Sequence, residues 1–232
     1  MELVADMAKT GAFASPLATR RPLDLVIFDF DGTLSDSGDW FVSVANDLAE
    51  RFRFRKIAPH EVELLRRKTS REVIDFLGIA RWKMPWIARY VRKLVSRDAH
   101  RIELFPGTPH LLDRLVETGV KLALVTSNSE ENARKILGPR HAAKIHCYAC
   151  GSSLFGKAPK FRRVLRKMGV TPEAALAIGD ETRDVDAARE VGMRAGSVLW
   201  GYAAEDLLTG MAPDALFRTP EDILSYVSQH RG

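Results

Sequence analysis

A chain of 232 residues, 46% hydrophobic and 28% charged, has room for one large domain or one domain carrying an insertion, and its composition is that of a globular fold with a proper core. No stretch approaches the ~20 apolar residues of a membrane span. The N-terminal stretch carries Asp6 and Lys9 inside its only mildly apolar region, so it does not read as a signal-peptide core and cytoplasmic residence is the expectation. The net charge of +5 is concentrated in one segment: residues 38–105 hold 15 Lys/Arg against 9 Asp/Glu, while the remainder holds 20 against 21. Such a basic segment suits a nucleic acid, an acidic lipid surface, an anionic small substrate or simply a solvated helical surface.

Residues 1–22 are Ala, Thr, Ser and Gly without sustained periodicity and read as a weakly ordered tail. Leu25-Val26-Ile27-Phe28 is a continuous apolar run that predicts a buried parallel strand. A helical block follows. Phe41, Val44, Ala45, Leu48 and Phe52 keep the i, i+3, i+4, i+7 spacing of one helix face. Thr69-Ser70-Arg71-Glu72 has the form of a capping box opening a second helix. Trp86, Ile87, Tyr90, Val91 and Leu94 make a further apolar face, with Arg89, Arg92 and Lys93 on the other side. No strand signal interrupts residues 38–104, so the block reads as an all-helical insertion. For Trp82 and Trp86, core packing is the commoner role of large aromatics; lining a substrate pocket or facing the second subunit of a homodimer is the alternative.

From Pro106-Gly107 onward strands and helices alternate. Strands are predicted at 120–125, 145–149, 174–178, 195–200 and 214–217. Ser129 caps one of the intervening helices, and Thr219-Pro220 opens the last. The alternation implies an α/β fold with a doubly wound parallel sheet, in which ligands bind beyond the carboxyl ends of the strands. Cys147 and Cys150 lie with His141 and His146 at spacings too cramped for a zinc site, so they read as packing or loop residues. Two cysteines in a chain this long suit a reducing compartment.

Three predicted strand tips carry reactive groups: Asp29 with Asp31, Thr126, and Asp180. Parallel strands put these tips on one edge. Asp29, Asp180 and Asp184 would gather up to three negative charges, which a hard, oxygen-liganded cation such as Mg²⁺ compensates while it also offsets substrate phosphate. Asp29 could then attack phosphorus in line, and Asp31, two residues on, could protonate the leaving group and afterwards activate water. Lys157 would pair with the phosphoryl group and Asp29, and Lys160 competes for that role. Thr126 offers a hydroxyl, and main-chain N–H groups near Ser127 and Gly32 complete a phosphoryl cradle.

With these motifs the chain resembles the haloacid dehalogenase-like (HAD) hydrolase superfamily. Asp29-Phe30-Asp31-Gly32-Thr33-Leu34 matches its first motif, Thr126 the second, Lys157 the third, and Gly179-Asp180-Glu181-Thr182-Arg183-Asp184 the fourth, over about residues 24–230. The third motif departs in having Ala158 after the lysine where many relatives have proline. The resemblance implies a Rossmann-like core (23–37 and 106–232), an inserted helical cap (38–105) and Mg²⁺-dependent phosphoryl transfer through an aspartyl-phosphate. It implies that Asp29, the main-chain carbonyl of Asp31, Asp180 and Asp184 hold the metal. The insertion looks like the small cap of phosphoglycolate phosphatase-like members, where a Ser-Arg-Glu segment touches substrate. Ser70-Arg71-Glu72 matches that segment, making Arg71 either a substrate clamp or a surface arginine of a first helical turn. The expected activity is hydrolysis of a small phosphorylated metabolite. A phosphomutase would use the same residues, and a non-catalytic binding protein would use the basic cap. Nucleic acid is disfavoured as the partner because no motif residue is missing.

Overall fold

The computed structural model describes residues 21–151 and 156–231. Most of the proposed tail, residues 1–20, and residues 152–155 of the loop before Lys157 lie outside these. The elements in chain order are β1 (Leu25–Phe28), β2 (Ser35–Asp36), α1 (Gly38–Phe52), α2 (Val62–Arg66), α3 (Ser70–Phe76), α4 (Met84–Asp98), β3 (Glu103–Leu104), α5 (Thr108–Glu117), β4 (Lys121–Val125) and α6 (Glu130–Ala142). There follow β5 (Cys147–Ala149), α7 (Ala158–Met168), β6 (Ala175–Gly179), α8 (Thr182–Val191), β7 (Arg194–Val198), α9 (Glu205–Gly210), β8 (Ala215–Phe217) and α10 (Pro220–Gln229).

Six strands form one sheet in the order β5-β4-β1-β6-β7-β8, and every pairing in it is parallel. The fold is α/β and Rossmann-like. Because strand side chains alternate between faces, Val26, Phe28, Leu122 and Leu124 pack with Leu111, Leu115 and Val227 on one side. Leu25, Ile27, Ala123 and Val125 pack with Phe161, Val164 and Val185 on the other. The strand order reverses about β1, so β1 sits between β4 and β6. The tips of these three central strands are the ones that carry Asp29, Thr126 and Asp180.

The four helices α1–α4 lie between β2 and β3, which pair antiparallel as a two-stranded ribbon, Ser35 opposite Leu104 and Asp36 opposite Glu103. The uninterrupted helical reading of 38–104 therefore needs correction at its end, where β3 begins. The helices have a small core of their own, with Trp40, Val44, Leu48, Val95 and Ile102. Two face assignments also change. On α1 it is Trp40 that turns inward (8% exposed), whereas Phe41 is 44% exposed. Trp82 and Trp86 are 68% and 59% exposed and meet edge to face at 5.9 Å, so neither serves as core. Trp82, Trp86, Arg89, Lys93 and Arg97 recur at helical spacing along one exposed line of residues. Ile87 and Val95 hold the buried side.

The capping box of Thr69 with Glu72 and the caps at Ser129 and Thr219 form as the sequence predicts; at Thr219, Asp222 completes a box that the sequence reading does not name. Helix α6 is kinked at Gly138 (φ 70), just before Pro139, whose ring cannot continue a regular helix. Cys147 is buried and Cys150 half-buried, both free. Burial pushes the Cys150 thiol up to about 11, which fits an unreactive packing residue.

Asp98 ties α4 to α1: its carboxylate accepts from the Trp40 indole at 3.1 Å and from Arg97 at 2.7 Å. The Arg97 hydrogen bond, helped by Trp40 and opposed by burial, holds the carboxyl well below its ordinary range. A depressed folded value gives stability above the unfolded carboxyl range near pH 4, lost as the pH falls toward the folded value. Asp98→Ala, which leaves the Trp40 N–H without its acceptor, should cost about 2 kcal/mol at pH 7. Urea unfolding should show that deficit shrinking below about pH 4.

Candidate active site

Immediately after β1 the chain wraps tightly: the N–H groups of Thr33, Leu34 and Ser35 all donate to the Phe30 carbonyl, at 3.2, 2.9 and 2.9 Å. Gly32 turns this corner with φ +80, and a β-carbon there would overlap the Asp180 carboxylate. Similar crowding recurs at Gly179, where a β-carbon would overlap Asp184, and at Gly201, where it would overlap Asp180 and press on the Gly32 carbonyl. Gly32 and Gly201, from segments far apart in sequence, thus close around the Asp180 carboxylate, and Gly179 leaves room for that of Asp184.

Asp29 emerges from this corner 6% exposed. Its Oδ2 lies 2.6 Å from Lys157 Nζ, and the same ammonium donates to Asp184. One carboxylate oxygen each from Asp29, Asp180 and Asp184 lies within 4.8 Å of the other two, and all three residues are buried. One ammonium thus pairs with two of the three clustered carboxylates. Burial alone would drag Lys157 down, but Asp184 and Asp29 outweigh it and hold the ammonium charged. Asp180 is pushed well above the usual carboxylate range, by burial first and then by Glu181, Asp29 and Asp184. Asp184 is also pushed up, by burial and by Asp29, with Lys157 opposing. Asp180 is held by the Thr33 hydroxyl and the Tyr202 N–H, both at 2.9 Å.

Asp31 sits opposite. Its Oδ1 accepts from the Ser37 hydroxyl at 3.2 Å and from the Asn128 amide at 3.4 Å. Its Oδ2 accepts from the Thr126 hydroxyl at 3.5 Å and from the same amide at 3.4 Å. Burial, reinforced by the Asp29 charge and moderated by Ser37 and Asn128, pushes its pKa up to about 6. A carboxyl of that strength can both give and take a proton near neutral pH.

The two candidate lysines separate by what they touch. Lys160 donates to the main-chain carbonyls of Thr126, at 2.7 Å, and Gly151; burial and then Lys157 bring it down to about 8. It fastens the β4 and β5 tips together, and Lys157 is the ammonium that reaches Asp29. Ser127 is exposed at the β4 tip, and its carbonyl accepts from Arg92 at 3.4 Å. Arg71 is exposed and stands apart from the acids' hydrogen bonds. Its neighbour Ser70 does cross to the core, donating to Glu181 beside Asp180.

Asn128, Thr33, Ser37 and Tyr202 also hold the two acids, yet sequence reasoning gives them no role. Tyr202 is within its reach: Trp200-Gly201-Tyr202 follows β7, so the strand-tip rule that finds Asp180 also points to this loop.

A buried acid paired with a lysine thus stands at the strand tips with a second acid able to trade a proton. The haloacid dehalogenase-like hydrolase family profile matches residues 26–198. The chain is 32% identical over 208 residues to a phosphoglycolate phosphatase of Synechococcus elongatus, covering 89% of this chain and 98% of that one. It is 31% identical over 192 residues to the tyrosine-protein kinase PtkA of Mycobacterium tuberculosis, covering 79% and 65% respectively. Among solved structures, CbbY from Rhodobacter sphaeroides in complex with phosphate shares the fold at a TM-score of 0.67 and 23% identity, covering 87% of this chain and 96% of that one.

The chain belongs to the haloacid dehalogenase-like hydrolase family. Within it this is a phosphoglycolate phosphatase-like member, an enzyme of the phosphatase kind.

Proposed function

We propose that the protein is a cytoplasmic, Mg²⁺-dependent phosphatase of a small phosphorylated metabolite, a phosphoglycolate-like phosphomonoester, acting through an aspartyl-phosphate on Asp29. The observation that carries this reading is the cluster of three buried carboxylates around a single ammonium. Its donor set is all hard oxygen with two more negative than positive charges, which fits Mg²⁺. Asp29, Asp180, Asp184 and the Asp31 carbonyl would hold the ion. When bound, it screens the carboxylates and offsets phosphate charge. We place the cap at residues 38–105, hinged at the β2–β3 ribbon, with Arg71 and Ser70 at its inner rim as substrate contacts.

In this mechanism Asp29 attacks phosphorus while Lys157 neutralises the phosphoryl oxygens. Thr126 and the N–H groups near Ser127 and Gly32 orient them. As the ester P–O bond breaks, its electron pair stays on the leaving oxygen, which takes the proton of Asp31. Asp31, now a carboxylate, removes a proton from water as that water attacks the aspartyl-phosphate. Phosphate leaves and Asp29 is restored.

Similarity to a protein named as a kinase favours one further reading: transfer to a second hydroxyl in place of water, as in a phosphomutase. Phosphate release from a panel of phosphorylated metabolites, with MgCl₂ or with EDTA, tests the main reading. Magnesium-dependent release from at least one monoester is expected, and none from any would overturn it. Isomerised sugar phosphate with little free phosphate would select the mutase. Magnesium binding can be read without turnover: MgCl₂ at about 100 times its Kd should raise the Tm of EDTA-treated protein by roughly 5–10 °C. Asp180→Asn should lose that rise.

A further inference from the structure

Tyr202 is linked to two acids of the site, directly to Asp180 and through Ser37 to Asp31. Its main-chain N–H donates to Asp180 Oδ2 at 2.9 Å. Its phenol oxygen lies 2.6 Å from Ser37 Oγ, and Ser37 is buried at 2% exposure. Ser37 Oγ in turn donates to Asp31 Oδ1 at 3.2 Å. While Asp31 is a carboxylate it only accepts, so the Ser37 proton goes to it and the phenol O–H donates to Ser37.

The loop carrying Tyr202 cannot drift. On the core side Gly201 is wedged against Asp180 and the Gly32 carbonyl. On the helical side Arg66 donates to the carbonyls of Tyr202 and Gly201, both at 3.2 Å, and its own carbonyl accepts from Ala204 N–H at 2.8 Å.

We propose that Tyr202 is a positioning residue for proton delivery. Acting through Ser37, it fixes the orientation of the Asp31 carboxyl, the group that serves the leaving oxygen. This rests on the phosphatase reading above. In the step served, the Asp31 carboxyl passes its proton to the ester oxygen as the P–O bond breaks and that oxygen keeps the electron pair. Without the phenol O–H, Ser37 loses the partner that holds its hydroxyl toward Asp31, and the carboxyl is free to turn from the reacting bond.

The consequence depends on the leaving group. An alkoxide needs the proton, whereas p-nitrophenolate departs without it. With Mg²⁺ present, Tyr202→Phe should lower kcat/KM on the best alkyl phosphate roughly 10–100-fold, part of what a general acid contributes. On p-nitrophenyl phosphate kcat/KM, which covers only the steps through departure of the leaving group, should change by less than about 3-fold, since no proton is required there. The Mg²⁺-induced rise in Tm should persist, because Asp180 is reached through the main chain. Ser37→Ala should reproduce the split, and the double variant should lose little more, since the two residues act as one chain. Equal losses on both substrates, or no loss on either, in both single variants would overturn the assignment. Wild-type protein that cleaves neither ester would instead overturn the phosphatase reading itself, so the two failures are distinguishable.

Discussion

Asp29→Asn is expected to abolish Mg²⁺-dependent phosphate release, on the order of 10⁴-fold or more, because an amide offers no carboxylate oxygen to form the acyl phosphate. The protein should stay folded. Asn keeps the shape of Asp, and Lys157, which loses one partner, still has Asp184. Removing one negative charge from a group of three around one ammonium also relieves repulsion, so the metal-free variant should melt no lower than metal-free wild type. Malachite-green phosphate assays and thermal melts in EDTA measure the two halves. Full retention of turnover would remove Asp29 from its role.

Lys157→Met carries the largest expected loss of stability. Taking one partner from a buried ion pair costs about 3–5 kcal/mol, and here the ammonium serves two carboxylates. The lower end applies in metal-free protein, because Asp180 and Asp184 already lean toward protonation and can take up a proton when the lysine is gone. A deficit of about 3 kcal/mol corresponds to a Tm roughly 10 °C lower in EDTA, with phosphatase activity lost as well. A melt within about 2 °C of wild type, on the order of 0.5 kcal/mol, would show that the acids are not held by this lysine. The corresponding Lys160→Met should disturb the β4 and β5 tips but leave the Mg²⁺-induced rise in Tm in place, since that amine binds carbonyls and not the acids.

How much of this is legible in the chain follows from the range over which each signal acts. Leu25–Phe28 and the other long strands are readable because buried parallel strands are apolar on both faces. Parallel pairing then places their tips on one edge, so Asp29, Thr126 and Asp180 can be grouped from their positions along the chain. The β2–β3 ribbon is not readable: two residues per strand have no periodicity. The core assignment of Trp82 and Trp86 is an avoidable error. Trp86 keeps step with Arg89 and Lys93 at i+3 and i+7, whereas Ile87 keeps step with Val91, Leu94 and Val95. Grouping Trp86 with the apolar set follows its residue type and not its helical phase. The Ser37–Tyr202 contact joins residues 165 apart in sequence, and neither has a neighbour whose spacing announces the other. Arg71 illustrates a different limit. A capping box fixes where α3 begins, but a helix start does not say what an exposed guanidinium will meet when substrate arrives.

The three bare corners at Gly32, Gly179 and Gly201 have a bearing on how such an enzyme can change. One additional methyl at any of them would displace a carboxylate, so the chemical machinery has almost no freedom to explore. If the protein is the phosphatase proposed above, new preferences for different esters would have to arise away from these corners, for instance in the outer helices.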